Sequence, residues 1–300
     1  MSARKIAVVL NAVAGVRDQA EREDAVGVAF AQCGLQPEFH VAARGTNIAE
    51  LTAVVVASGA TIVVAGGGDG TMNGVAAALV DTPCAMGVLP LGTLNHFAKD
   101  LGIPLDIDGA AGTIARGVER RIDVGEVNGE VFVNNSSLGL YPMMVRGREQ
   151  IQRLGRGKWT ALFWSALAVL RRYPTLTISL RTPERGEFHR RTPLVFIGNN
   201  HYEMNGFRVG SRAALDRGSL AVYLAHADGR GHFLWLGIRG AFGLLRHGVD
   251  FDMISTDCVE IACMRRAIQV ATDGEVASLA PPLRYRIRPG ALRVIVPAGG

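Results

Sequence analysis

Residues 61–73, TIVVAGGGDGTMN, carry the strongest structural signal in this 300-residue sequence. Ile62, Val63 and Val64 form a β-branched run that is too short for a helix and ends at three glycines. This pattern predicts a buried parallel strand followed by a turn. Glycine N–H groups can approach a phosphate closely, and a helix predicted from about Thr71 would add its dipole. The stretch therefore indicates a phosphate-binding loop.

Asp69 stands in the middle of this predicted anion site. A carboxylate beside phosphates is repelled unless a divalent cation lies between them or the carboxylate exchanges a proton with the acceptor. Its position therefore suggests chemistry. The alternative is an ordinary glycine turn in which Asp69 caps a helix.

The sequence around this stretch alternates between strand and helix patterns. Apolar runs predict strands at residues 6–10, 37–42 and 85–89, and periodicity with capping residues predicts helices at 17–33, 47–57, 95–101 and 108–116. Such alternation favours a doubly wound parallel sheet, whose ligands bind beyond the carboxyl ends of the strands. Loops rich in Gly, Thr and Asn follow three of these predicted strands, at residues 11–15, 66–71 and 90–95.

The pattern changes after residue 117. Residues 121–127 and 130–134 flank Asn128 and Gly129 and predict a hairpin. Further β-rich segments follow at residues 176–181, 194–198, 220–224, 259–264, 268–272 and 292–296. The sequence thus predicts two domains: an α/β domain over residues 1–125 and an antiparallel β-sandwich over residues 126–300, whose last segment could return to the first domain.

Composition excludes several classes of protein. The chain is 48% hydrophobic with a net charge of +5, and no basic run or aromatic-basic interleaving marks a nucleic-acid surface. The four cysteines lack metal-binding spacing, which is typical of free thiols in a reducing cytoplasm. The first residues do not resemble a secretory signal, and no apolar stretch is long enough to span a bilayer.

Two apolar segments in the second half have aromatic residues and basic ends. They are residues 158–172, KWTALFWSALAVLRR, and residues 231–247, GHFLWLGIRGAFGLLRH. Helices of this composition can lie on an anionic membrane surface. The alternative is that both helices pack on the sheets.

Four motifs, in this order, resemble those of one family: NAVAG at residues 11–15, GGGDGTMNGV at 66–75, PLGTLNHFAKDLGIP at 90–104 and TDGE at 272–275. Together they are similar to the catalytic-domain family shared by bacterial diacylglycerol kinases, sphingosine kinases and ceramide kinases. The resemblance extends over essentially the whole chain. GGDGT alone is less specific, because NAD kinases and phosphofructokinases carry a similar loop.

This resemblance implies a nucleotide domain, a β-sandwich and an active site in the cleft between them, with ATP and Mg²⁺ as cofactors. It implies catalytic roles for Asp69 and for Glu275 as a candidate general base, with Asp273 beside it. The residues that it implies for ATP binding are Asn11, Gly15, Thr46, Gly67, Gly68, Asp69, Gly70, Thr71, Thr93 and Asn95. Read alone, Asp273 and Gly274 could also form an ordinary hairpin turn.

The sequence departs from the family pattern at two places. His96 stands where many bacterial members have an aspartate. Residues 215–218 read Leu-Asp-Arg-Gly where those members have an Asp-Gly pair that helps to bind a structural magnesium. Asp216 could replace that ligand by a one-residue shift, or Arg217 could supply its own charge instead of the cation.

The resemblance predicts a cytoplasmic lipid kinase that transfers the γ-phosphate of ATP to the hydroxyl of a diacylglycerol-like or sphingoid lipid. It would contact the inner face of the membrane transiently and bind no nucleic acid, and two chains could pair through an exposed sandwich edge. Two alternatives stay open: an NAD kinase-like nucleotide kinase, and a non-catalytic protein that binds nucleotide and lipid.

Overall fold

The computed structural model describes residues 5–12, 16–43, 45–139, 175–203, 214–226 and 246–298, with residues 212, 229, 231, 235 and 239 between them. The chain divides into two compact units. Unit 1 comprises Met1–Val124, Ala214–Asp216 and Arg288–Gly300. Unit 2 comprises Gly125–Ala213 and Arg217–Ile287.

The helices and strands of the described residues have the following bounds. The helices are α1 (Val16–Gln32), α2 (Ile48–Ala57), α3 (Asp69–Leu79), α4 (His96–Asp100) and α5 (Ile107–Arg116). The strands are β1 (Ile6–Asn11), β2 (Glu38–Ala42), β3 (Ile62–Gly67), β4 (Ala85–Pro90), β5 (Val118–Val127), β6 (Glu130–Phe132), β7 (Asn135–Gly139), β8 (Leu176–Thr182), β9 (Gly186–Thr192), β10 (Leu194–Asn199), β11 (Leu220–Ala225), β12 (Phe251–Thr256), β13 (Cys258–Ala262), β14 (Ile268–Thr272), β15 (Glu275–Leu279) and β16 (Leu283–Val296).

Unit 1 is built on parallel strands in the order β2, β1, β3, β4 and the second half of β16. The strand side chains are fully buried at positions such as Val8, Val64 and Met86. The helices pack in pairs, α1 against α5 and α2 against α3. This architecture confirms the parallel α/β domain that the sequence predicts.

Local side-chain contacts explain where two helices of unit 1 begin. Asn47 precedes α2, and its Oδ1 accepts the N–H of Ala49 at 3.0 Å. Asp106 precedes α5, and its Oδ1 accepts the N–H of Gly109 at 2.7 Å. Such caps satisfy helix N–H groups that have no intrahelical acceptor.

Unit 2 is an antiparallel β-sandwich. One layer is a six-stranded sheet, here called sheet B, in the order β12, β11, β10, β7, β14 and β15. The other layer contains the first half of β16, β13, β8 and β9, together with the β5–β6 hairpin. Apolar side chains from both layers, among them Leu138, Leu180 and Val195, form the core. The predicted sandwich is therefore confirmed.

Some features that the sequence predicts lie outside the described residues. Gly15 and the whole of residues 158–172 belong to this group, and in residues 231–247 only Gly231, Trp235, Arg239, Arg246 and His247 are described. Within the described part of the chain, no helix has the length and apolarity needed to cross a membrane.

Candidate active site

The end of β1 and the loops that follow β3 and β4 lie together at the carboxyl edge of the parallel sheet of unit 1. These strands are adjacent, because β1 pairs with β3 and β3 with β4. The side-chain amide of Asn11 donates to Thr71 Oγ1 at 3.1 Å, and the N–H of Leu91 donates to the carbonyl of Gly67 at 3.0 Å. The structure therefore brings Asn11 and the glycine loops after β3 and β4 together.

The glycines of these loops allow their backbones to lie unusually close. A Cβ on Gly92 would lie 2.5 Å from the Cα of Gly68, and a Cβ on Gly67 would lie 2.4 Å from Thr71 Oγ1. Both distances are shorter than real Cβ contacts allow. A side chain at Gly92 would therefore force the two loops apart, and one at Gly67 would displace Thr71.

The N-terminus of α3 opens between these loops. The helix begins at Asp69, two residues before the predicted start, and Gly68 precedes it in extended conformation without a side-chain cap. The first N–H groups of a helix have no intrahelical acceptor, and the dipole gives this end a partial positive charge. This end of α3 is therefore suited to bind an anion.

Asp69 links two of the loops. Its Oδ1 accepts the N–H of Phe97 at 3.3 Å, so it caps α4, whose own N-cap residue Asn95 makes no side-chain cap. The helix that Asp69 caps is thus α4, across the site, and not its own helix. Asp69 itself is partly exposed.

Asn95 shapes the loop that follows β4. Its backbone is left-handed, with φ of 50°, and only 8% of the residue is exposed. Its Oδ1 accepts the N–H of Gly92 at 3.1 Å, and its Nδ2 donates to the carbonyl of Gly92 at 2.9 Å. The amide is therefore engaged within the loop, and direct contact with ATP stays a prediction.

The other predicted residues of unit 1 are more accessible. Thr93 is exposed on the loop after β4, and His96 is exposed at the first position of α4. Thr46 is exposed in the turn before α2, where its N–H donates to the carbonyl of Ala43 at 3.0 Å. Their predicted roles remain predictions.

Asp273 lies in unit 2, in the tight turn that joins β14 to β15. Asp273 and Gly274 both have positive φ, 48° and 89°, as a type I′ hairpin requires. The carboxylate accepts three backbone N–H groups, from Val133 at 2.7 Å and from Asn134 and Asn135 at 2.9 Å each. Burial raises the pKa of Asp273 to about 6, against the opposing effect of these hydrogen bonds.

Arg212 contacts the same residues, 133 and 134, through their oxygen atoms. It is buried, and its guanidinium donates to the carbonyl of Val133 at 2.6 Å and to Asn134 Oδ1 at 2.8 Å. Asp273 and Arg212 therefore both hold residues 133–135. Sequence reasoning missed Arg212, because a single arginine between small residues carries no pattern.

Glu275 is the first residue of β15 and follows the turn directly. It is exposed, whereas the Asp273 carboxylate is engaged by backbone donors. The contacts of Asp273 are those of a residue that fixes the turn. The catalytic roles predicted for both residues remain predictions.

Asp216 does not lie in a set of metal ligands. Its Oδ2 is 2.7 Å from a guanidinium nitrogen of Arg120. The N–H of Arg217 donates to Asn200 Oδ1 at 3.0 Å. Among the described residues, no group of three or more His, Cys, Asp or Glu side chains could hold a metal ion. The structure pairs Asp216 with Arg120; a magnesium ligand at Asp216 and a charge supplied by Arg217 both stay predictions.

Comparison with known proteins identifies the family. Residues 5–127 match the model described as diacylglycerol kinase catalytic domain, and residues 144–296 match the YegS C-terminal NAD kinase beta sandwich-like domain. A Pseudomonas savastanoi pv. phaseolicola protein named "Probable lipid kinase YegS-like" is 30% identical over 83% of this chain and 80% of its own length. The chain belongs to the diacylglycerol kinase catalytic-domain family.

Other members of the diacylglycerol kinase family support this assignment. A Pseudomonas fluorescens protein, also named "Probable lipid kinase YegS-like", is 28% identical over 99% of this chain and 97% of its own length. A Bacillus subtilis diacylglycerol kinase is 39% identical over 35% of this chain and 36% of its own length. The predictions of the family and of a kinase are confirmed.

Solved structures share the fold. The crystal structure of a diacylglycerol kinase from Bacillus anthracis str. Sterne has a TM-score of 0.69 at 19% identity, covering 99% of this chain and 98% of that one. A second structure from the same organism has a TM-score of 0.76 at 22% identity and covers 99% of both chains. Because both structures are less than 25% identical to this chain, the similarity supports the fold alone.

Proposed function

We propose that this kinase transfers the γ-phosphate of ATP to the hydroxyl of a diacylglycerol-like or sphingoid lipid. The observation that carries the proposal is the open N-terminus of α3 between two closely packed glycine loops, in a chain whose relatives are named lipid kinases. Backbone N–H groups and a helix N-terminus at one sheet edge bind phosphates in many nucleotide sites.

Residues of unit 1 would hold ATP. The N–H groups of Gly68, Asp69 and Gly70 would receive phosphate oxygens at the start of α3. Asn11 would keep Thr71 in place through the hydrogen bond between their side chains. The exposed hydroxyls of Thr46 and Thr93 are available for the rest of the nucleotide.

Magnesium would arrive with ATP and neutralise charge on the transferred phosphoryl group. The partly exposed carboxylate of Asp69 would hold this ion beside the phosphates. Asp216 has no part in this step, because its charge is paired with Arg120.

Glu275 would act as the general base that accepts the proton of the lipid hydroxyl. Its exposed carboxylate is accessible to an incoming lipid, and general bases of this type contribute roughly 10²- to 10⁴-fold to rates. Asp273 would position Glu275 by fixing the turn that precedes it, through its three backbone hydrogen bonds.

The lipid would be reached by transient contact with the cytoplasmic face of the membrane. Trp235, from the second apolar segment, is 56% exposed, and indole rings favour membrane interfaces. Cytoplasmic location and pairing of two chains through a sandwich edge stay predictions.

The test is transfer of labelled γ-phosphate from ATP and magnesium to a panel of diacylglycerol, monoacylglycerol, sphingosine, ceramide and NAD, in mixed micelles and in plain buffer. We expect label on a lipid, and only in micelles. Binding of ATP without label on any acceptor would refute the proposal and favour the non-catalytic alternative.

NAD phosphorylation is the second candidate, because the C-terminal family model is described as NAD kinase-like. In the same panel, transfer of label to NAD both with and without micelles would establish NAD phosphorylation. Label on a lipid alone would exclude it.

A further inference from the structure

The loop that joins β13 to β14, residues 263–267, carries a fully exposed apolar side chain. Met264 is 105% exposed, so the fold covers none of it. The two ends of the loop are anchored, because Cys263 packs against the sandwich core and Ile268 is only 4% exposed. The 263–267 loop therefore presents Met264 to solvent from a fixed base.

Two arginines follow Met264 in the same loop. Arg265 and Arg266 are both exposed, and neither forms an ion pair with the residues that the structure describes. A single exposed methionine would need no explanation, because isolated apolar residues are common on protein surfaces. An exposed methionine beside two unpaired guanidinium groups combines the two properties of a membrane-binding segment.

Other exposed apolar side chains accompany Met264 at this end of the sandwich. Successive antiparallel pairings lead from β14 through β7, β10 and β11 to β12, so β14 and β12 start at the same end. Val249, in the loop before β12, is 56% exposed. A guanidinium nitrogen of Arg239 lies 3.1 Å from Asp250 in that loop, and Trp235, four residues before Arg239, is also 56% exposed.

This end of the sandwich is also basic. β9 ends here, because its last residue, Thr192, pairs with the first residue of β8, and β8 starts where β13 ends. The described carboxylates at this end are engaged, Asp250 with Arg239 and Asp252 with His226 at 2.9 Å. The exposed arginines here are Arg190, Arg191, Arg246, Arg265 and Arg266. Positive charge therefore predominates on this surface.

An anionic membrane matches both properties of this surface. Its headgroups attract arginines, and the boundary between headgroups and acyl chains accepts an apolar side chain such as that of Met264. A nucleic acid or an acidic protein surface would match the charge but would offer no hydrocarbon to the methionine. Deepening the proposed lipid kinase function, on which its purpose rests, we propose that the 263–267 loop docks this protein on an anionic membrane.

The docking surface lies at the far end of β14 from the candidate catalytic residues. β14 contains 5 residues, so its length places the loop about 17 Å from the turn before Glu275. Half of the hydrocarbon core of a bilayer is about 15 Å thick. One lipid molecule is therefore long enough to extend from a membrane at this surface towards Glu275, and substitutions in the loop leave the catalytic groups untouched.

The test is cosedimentation of the full chain with vesicles of phosphatidylcholine alone and with vesicles of equal parts phosphatidylcholine and phosphatidylglycerol. The wild-type protein should bind the anionic vesicles more tightly, and added salt should remove most of the difference. Replacing both arginines, Arg265→Gln with Arg266→Gln, should weaken binding to the anionic vesicles about thirtyfold, since each arginine near the surface contributes about fivefold. Met264→Ser should weaken binding to both kinds of vesicle about tenfold.

Arg185→Gln and Val54→Ser are the matched controls. Arg185 is exposed in the turn between β8 and β9, at the opposite end of unit 2 from the 263–267 loop, and Val54 on α2 of unit 1 is 68% exposed. Both variants should bind vesicles as the wild-type protein does. Because every substituted side chain is exposed, all variants should keep the wild-type thermal midpoint.

Three outcomes would overturn all or part of this assignment. The docking surface would be wrong if the wild-type protein bound neither kind of vesicle, or if no loop variant weakened its binding. Weaker binding of the arginine variant alone, with Met264→Ser unchanged, would overturn the insertion of Met264. Vesicle binding through the loop with no label on any lipid in the kinase assay would overturn the proposed function and leave the docking surface in place.

Discussion

Asp69 and Asp273 each precede a glycine near the end of a strand, yet their environments are opposite. Asp69 begins a helix and, among the described residues, accepts one N–H, at 3.3 Å. Asp273 occupies a left-handed turn and accepts three N–H groups at 2.9 Å or less. The same dipeptide therefore leaves one carboxylate accessible to a ligand and commits the other to the fold. Backbone conformation, and not residue type, makes this difference.

The largest effects are expected on turnover. Asp69→Ala and Glu275→Ala should each abolish activity while leaving the fold intact, because one removes the magnesium ligand and the other the general base. Asp69→Asn keeps an oxygen for the N–H of Phe97 but loses the charge, and we expect a loss of roughly 10³-fold in kcat. Steady-state kinetics would measure the activity of these variants, and circular dichroism would show whether each keeps its fold. Activity within tenfold of wild type in either alanine variant would contradict the assigned role.

Asp273 should instead act mainly on stability. Asp273→Ala leaves three partly buried backbone N–H groups without their acceptor and should lower the free energy of unfolding by about 3 kcal/mol. In Asp273→Asn the side chain would retain one oxygen as an acceptor, and asparagine tolerates the left-handed backbone, so this variant should lower the free energy of unfolding by less. Urea unfolding would measure both values. A loss below about 1 kcal/mol for Asp273→Ala would show that the turn does not depend on these bonds.

The pH dependence of stability sharpens the same contrast. Burial raises the pKa of Asp273 from 3.8 to about 6, so folding favours its protonated form. The associated stability is present in full below the unfolded pKa and is lost as pH rises through 6. Between about pH 5 and pH 7.5 the wild-type protein should lose roughly 1.4 kcal/mol more than Asp273→Asn. Parallel pH profiles of the two proteins would contradict the raised pKa.

The sequence predicts the parts of this molecule in which local pattern and environment agree. The β-branched run before Gly66, the cap at Asn47 and the turn at Asn128 and Gly129 all have their expected structures. Each depends on residues close together in the chain. Local signals are therefore sufficient for the first four strands of the α/β unit and for the first hairpin of the sandwich, while the last strand of that parallel sheet comes from the distant second half of β16.

The rest depends on contacts between distant residues. Strand β7 has the sequence NSSLG, without apolar alternation, and becomes a central strand because its neighbours in sheet B pair with it on both sides. The engagement of Asp273 by residues 133–135 joins positions about 140 apart in sequence. The role of Asn95 as a loop brace follows from its left-handed backbone, which sequence alone does not specify.

Asp216 extends the comparison to a third carboxylate, for which the smallest effect is expected. Its partner is Arg120, and both side chains are more than 40% exposed, so the pair should contribute less than about 1 kcal/mol. Asp216→Ala should therefore shift the thermal midpoint only slightly, and millimolar magnesium without ATP should not raise it in either protein. If magnesium raised the thermal midpoint of the wild-type protein by several degrees and did not do so in Asp216→Ala, Asp216 would be a ligand of a structural metal site and not only the partner of Arg120. Asp216→Asn is the control variant, because it removes the charge that pairs with Arg120 but keeps an oxygen that could bind a metal ion.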